Sequence, residues 1–291
     1  MKKVLVIADM KGKKQVAVHR GVEFARRSGE SVHIVAFGYE TYIANLRDEK
    51  LATKLQKALL KARKQHIQDV VDNMDTEGVK VRLEVVWETD IAGWVDKNVS
   101  TDRYSTIVKT GHRTENIVHT PTDWKILRQS NIRVMIVAEK SWRKKNTIMC
   151  ALDLSSNNKK TKELNRYILT EAKALADLLG GNLMCCYAIA IPSVLVDLDI
   201  VDKGTILRKS TLDAAEYYAE LAEEFGLERE SLHSKAGYAE KVIPSVANKV
   251  KATMVVLSTS GRKGVRGKLL GNTAEKVLHQ LRTDVLILKY K

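Results

Sequence analysis

The chain offers one place where residue types and spacing suggest chemistry on a phosphate. After an apolar run at 253–258 it reads Ser258-Thr-Ser-Gly261-Arg262-Lys263-Gly264-Val-Arg266-Gly267-Lys268-Leu-Leu-Gly271-Asn272-Thr273-Ala-Glu275. Glycines let backbone N–H groups come close to an anion. Gly271-Asn272-Thr273 opens a predicted helix, whose free amides and dipole favour negative charge. Arg262, Lys263, Arg266 and Lys268 add cations, arginine gripping two phosphate oxygens and lysine acting as a point charge. Asp153, at the end of another apolar run, is the second feature expected at the same end of its sheet. Two familiar phosphate motifs are excluded. Gly261 to Gly267 encloses five residues and Leu269 follows Lys268, so no Walker A loop is present. The GxGxxG fingerprint is absent, and the loop follows a fourth strand, not a first.

The elements that position these residues occur twice. KVLVIADM (3–10) parallels TIMCALDL (147–154), each an apolar strand ending in an aspartate, Asp9 or Asp153. TIVKT (106–110) parallels VVLST (255–259), and LRQSNIRVMIV (127–137) parallels LHQLRTDVLIL (278–288). Strands are expected near 3–8, 32–38, 80–87, 104–109 and 133–138, and near 147–152, 182–188, 231–235, 253–258 and 284–289. Helical patterns lie between them, the longest near 47–77. Near-continuous apolar strands alternating with amphipathic helices predict an α/β fold, two tandem doubly wound domains with five-stranded parallel sheets. The strand order expected is the flavodoxin-like one, with ligands at the carboxyl ends of the strands beside the switch point. The domains are expected at 1–139 and 147–291, with a polar, basic link at 140–146.

A fourth strand followed by a G-x2-G-x9-G-[S/T/N] pattern, with an aspartate after the first strand, resembles the universal stress protein family. VVWETD (85–90), TPTDWKILR (120–128) and GNTAEKVL (271–278) resemble a tandem-domain subgroup of it. The resemblance covers essentially the whole chain. It implies a flavodoxin-like or adenine nucleotide alpha hydrolase-like fold, a cytoplasmic stress-response role, and adenine-nucleotide binding, with ATP and Mg2+ as the cofactor pair in the second domain. Asp153 would contact the adenosine, and Gly261, Gly271, Asn272 and Thr273 the ribose and phosphates. Ser258 departs from the pattern by standing at the first glycine position. A loop that keeps this geometry without a ligand is the alternative, as is a slow ATP hydrolase. The first copy lacks the cradle: GHRTENIVHTPTDW (111–124) has Thr120 where the helix-opening glycine would sit. No nucleotide is expected there, despite Asp9.

Composition bounds the remainder. Of 291 residues 44% are hydrophobic and 29% charged, a globular balance. The 49 basic and 35 acidic residues leave a net charge of +14, most of it in the first half. Such a chain attracts polyanions, and nucleic acid is one such partner. With lysines scattered in sequence and aromatics at 5%, general solubility is the preferred reading. The cysteines, Cys150, Cys185 and Cys186, are too few for a disulfide framework and fit a reducing cytoplasm. No secretory leader and no run long enough to span a membrane is seen, and a homodimer or tandem pseudo-dimer is expected. His112 and His119 lack a third metal ligand nearby. The tryptophans Trp94, Trp124 and Trp142 are read as packing at a domain or subunit boundary, and the apolar 188–200 stretch as a cavity lining, sheet closure or subunit contact. No nucleophile and base stand at a telling spacing.

Overall fold

The computed structural model describes residues 2–10, 14–111, 121–139, 142, 145–156, 158–191, 194, 198, 200, 202–260 and 272–290. The chain divides into two compact units, Met1–Ser141 and Trp142–Lys291.

In the first unit the order is β1 (Lys3–Ile7), α1 (Val16–Ser28), β2 (Ser31–Gly38), α2 (Thr41–Ala44), α3 (Glu49–Asp72), β3 (Val81–Trp87), α4 (Ile91–Asn98), β4 (Tyr104–Thr110), α5 (Pro121–Gln129) and β5 (Arg133–Val137). In the second it is β6 (Thr147–Leu152), α6 (Lys159–Leu178), β7 (Asn182–Ile189), α7 (Lys203–Phe225), β8 (Leu232–Ala236), α8 (Ala239–Lys249), β9 (Met254–Ser260), α9 (Asn272–Gln280) and β10 (Asp284–Tyr290). The short helix α2 is an addition to the expected pattern.

All strand pairs within each unit are parallel. The orders are β3-β2-β1-β4-β5 and β8-β7-β6-β9-β10. Numbered within its own unit, each sheet therefore runs 3-2-1-4-5. The doubly wound parallel domain is as expected, but its strand order is not the flavodoxin order 2-1-3-4-5. The direction of winding reverses between the first and fourth strands, so the crevice opens there, between β1 and β4 and between β6 and β9.

Burial follows strand position. Val4 to Ile7 on central β1 are wholly enclosed, because helices cover both sheet faces, whereas edge strand β3 is only half-buried. Helix ends are fixed by local chemistry. The Asp48 carboxylate accepts the Lys50 and Leu51 N–H groups at the start of α3, and Asn158 accepts the Lys160 N–H at the start of α6. Gly29 and Gly226 close α1 and α7 at positive φ, 68° and 63°, which glycine adopts without a Cβ clash. No described helix is long and apolar enough to cross a membrane.

Candidate functional site

In each unit an aspartate follows the first strand, Asp9 two residues after β1 and Asp153 directly after β6, and a side-chain amide holds its main chain. In the first unit the Asp9 N–H donates to Gln15 Oε1 (3.0 Å), and Gln15 Nε2 donates to the Asp9 carbonyl (3.1 Å). Gln15 stands just before α1 with a left-handed backbone, φ 39°, a cost of about 1–2 kcal/mol for a residue with a Cβ. The paired hydrogen bonds offset it. In the second unit the Asp153 N–H donates to Asn165 Oδ1 (3.1 Å), and Asn165 Nδ2 donates to the Asp153 carbonyl (2.7 Å). Here the amide comes from within α6, and Tyr217 approaches it from α7 at 3.5 Å.

The two carboxylates meet different fates. Ile7 lies beside Lys109, so Thr110 is carried to the level of the turn that follows β1. The Thr110 hydroxyl donates to Asp9 Oδ2 (3.0 Å) and accepts the Ala17 N–H (3.0 Å), while the Val16 N–H also donates to Asp9 Oδ2 (3.1 Å). Arg63 reaches over from α3 and donates to the Asp9 carbonyl. Burial holds its guanidinium below the usual arginine range, with the Asp9 charge acting against that shift. Asp9 ends only 8% exposed. Beside it, Lys109 and Asp123 form an ion pair of 2.6 Å, with side chains 7% and 0% exposed. At the described positions the first unit thus turns these groups inward on one another.

The second unit lacks these inward contacts at the described positions. Asp153 is exposed, and among the described residues its carboxylate accepts only from Ser155, through the hydroxyl (2.6 Å) and the N–H (3.1 Å). Thr259, which aligns with Thr110, points its hydroxyl at the Leu288 carbonyl (3.4 Å). Ser258 and Ala274 align with Lys109 and Asp123, so no ion pair forms. The Ser258 hydroxyl oxygen is buried and has no hydrogen-bond partner among the described residues. Tyr187 stands on β7 beside Leu152. Burial raises its phenol above the ordinary value, and the Asp153 charge raises it further.

Asp153, Ser258 and Thr273 are placed, Thr273 in the first turn of α9. Gly261, Arg262, Lys263 and Gly271 lie outside the described residues, as do His112, His119 and the Asn272 side chain. Asn165 and Ser155 are additions that sequence reading passed over. A signal for Asn165 was present: it falls on the buried stripe of α6 with Ile168, Leu169 and Ala172, where an amide needs a polar partner. Among the described residues no three His, Cys, Asp or Glu side chains gather to hold a metal.

The tryptophans and the apolar 188–200 stretch are placed in part. Trp94 packs edge-on against Phe37 within the first unit, ring centres 5.5 Å apart, and Trp142 donates to Asp284 within the second (2.8 Å). Of the described residues in the 188–200 stretch, Ile189 and Ile191 are buried, whereas Val194, Leu198 and Ile200 are exposed.

The universal stress protein family model matches residues 1–138 and again 146–289. Universal stress protein E of Escherichia coli K12 is 28% identical over 98% of this chain and 93% of its own length. A universal stress protein E homolog of Haemophilus influenzae is 25% identical over 99% and 97%. Among solved structures, a protein of unknown function from Pseudomonas aeruginosa PAO1 superposes with a TM-score of 0.73 at 24% identity, covering 99% of this chain and 92% of that one. A universal stress protein from Archaeoglobus fulgidus gives 0.61 at 16% identity, with 99% and 96% covered. These two likenesses speak for the fold alone.

Proposed function

The chain belongs to the universal stress protein family, and from that premise we propose that its second domain binds an adenine nucleotide, ATP carried with Mg2+, as a cytoplasmic stress-response sensor. The first domain keeps the fold without the ligand. The observation that carries this reading is the contrast between the two aspartates. Val16 and Thr110 take one oxygen of Asp9 and burial encloses the other, while Asp153 is exposed and held by a neighbouring serine. Asp153 would accept from the adenosine hydroxyl or amino groups. The amides and cations of Gly261, Arg262, Lys263 and Gly271 would meet the phosphates, and Asn272 and Thr273 would present the helix N-terminus. The buried Ser258 hydroxyl is a polar group wanting a partner, which suits a crevice built around a polar guest. With no cluster of metal ligands among the described residues, Mg2+ would arrive on the phosphates, as this hard, water-retaining cation commonly does. Nucleotide then shifts populations between arrangements of the 258–272 loop, coupling nucleotide level to assembly or partner choice.

The test is calorimetry of the full chain with Mg·ATP. One site per chain is expected, lost in Asp153→Ala and unchanged in Asp9→Asn. Absence of heat at millimolar ATP, or equal loss in both variants, would overturn the assignment and leave a scaffold.

A further inference from the structure

The basic excess looks scattered in sequence, but the fold sorts it. From Lys50 to Lys64 helix α3 carries no Asp or Glu, and its lysines fall at 50, 54, 57, 61 and 64. Steps of four, three, four and three residues keep all five within an arc of about 80° on a helix of 3.6 residues per turn. At 1.5 Å per residue the line is about 21 Å long. All five lysines are exposed, and among the described residues no acidic side chain pairs with any of them. Four successive like-charge neighbours at three- and four-residue spacing work against the helix that carries them. The arrangement gains when an anion lies along it.

We propose that this lysine line on α3 is a sequence-independent docking surface for double-stranded nucleic acid. Three observations select that occupant. The repeating point charges match a rod of closely spaced phosphates, about one charge per 1.7 Å of duplex axis. The apolar side of α3 is largely used, with Leu59 and Leu60 packed over Gly38 of β2 and Ile67 and Val71 buried, which leaves a single exposed leucine, Leu51, too little to enter a lipid surface. From Lys50 to Gln65 the other exposed residues are Leu51, Thr53, Ala58, Ala62 and Gln65, so Leu51 is the one large apolar side chain and the aromatic anchors that protein interfaces use are missing. The line lies in the first domain and is independent of the nucleotide assignment.

The experiment is fluorescence anisotropy of a mixed-sequence 20-base-pair DNA with the full chain between 50 and 200 mM salt. Five phosphate contacts predict about a 500-fold loss of affinity over that range. Lys54→Gln/Lys57→Gln/Lys61→Gln should weaken binding at 50 mM and flatten the loss to about 12-fold, with an unchanged circular dichroism spectrum. The control Lys241→Gln/Lys249→Gln/Lys251→Gln removes the same charge from exposed sites on and beside α8 and should bind as the unaltered chain does. No affinity at 50 mM, or equal weakening by the control, overturns the proposal. So does α3-dependent binding to vesicles containing phosphatidylserine without binding to the duplex.

Discussion

The buried Lys109–Asp123 pair gives a sharp test of how the first domain turns these groups inward. Both side chains are nearly solvent-free and 2.6 Å apart, with Asp123 in the first turn of α5, where the helix dipole favours its charge. Removing one partner strands the other charge in a dry interior, which costs about 3–5 kcal/mol. Asp123→Ala should therefore lower the urea midpoint of the first domain by about 2 M, at about 2 kcal/mol per molar. Replacing both with apolar groups removes the desolvation penalty together with the attraction. Lys109→Met/Asp123→Leu should fall within about 1 kcal/mol of the original. Tryptophan fluorescence is the readout, because Trp87, Trp94 and Trp124 lie in the first unit and only Trp142 in the second. A double variant as unstable as the two single losses added would refute the reasoning, as would an Asp123→Ala cost below about 1 kcal/mol.

Three other outcomes follow from the same structure. A Cβ at Gly21 of α1 would stand 2.2 Å from Val6 Cγ2, so Gly21→Ala should destabilise by about 1–2 kcal/mol despite its better helix propensity. Adding Val6→Ala should recover stability in the same urea melts, and no recovery would place the fault elsewhere. Burial, aided by Arg82 and opposed by Glu84, holds the His33 imidazole below its ordinary value. The unfolded chain then binds a proton that the folded chain resists, so stability should fall as pH drops below about 6.5. His33→Gln should flatten that slope, and an unchanged slope would refute the assignment. Burial pushes the Cys186 thiol up to about 12, and the hydrogen bond with Cys185, with burial behind it, raises Cys150 well above the ordinary range. Native protein should resist iodoacetamide at pH 8 and react at all three thiols in urea, and fast labelling of the native chain would contradict this.

The alternation of strands and helices was legible because central strands buried on both faces must be apolar throughout. Strand order was not, since the periodicity of a segment says what it buries and nothing about which strand lies beside it. The inward contacts of the first domain were equally hidden. Gln15, Arg63 and Lys109 read as ordinary polar residues, and Arg63 meets Asp9 across 54 positions of chain. Aspartates at matching places suggested matching roles, with only the missing glycines arguing otherwise for the first. The lysine line shows the reverse case. Its 4-3-4-3 spacing stood in the sequence, but only the packed opposite face of α3 shows that the line is left for solvent.

The amide clamp has a consequence for how such a turn can change. In both domains the main chain at the aspartate is held by a neutral side chain, Gln15 or Asn165, through two hydrogen bonds that leave the carboxylate out of the joint. Shape and charge at this corner are therefore separate properties. The carboxylate can be neutralised, locked inward or turned out to water while the backbone keeps its course. One duplicated corner can thus serve as a strut in one half of a chain and as a contact point in the other, and the skeleton need not be rebuilt to pass between them.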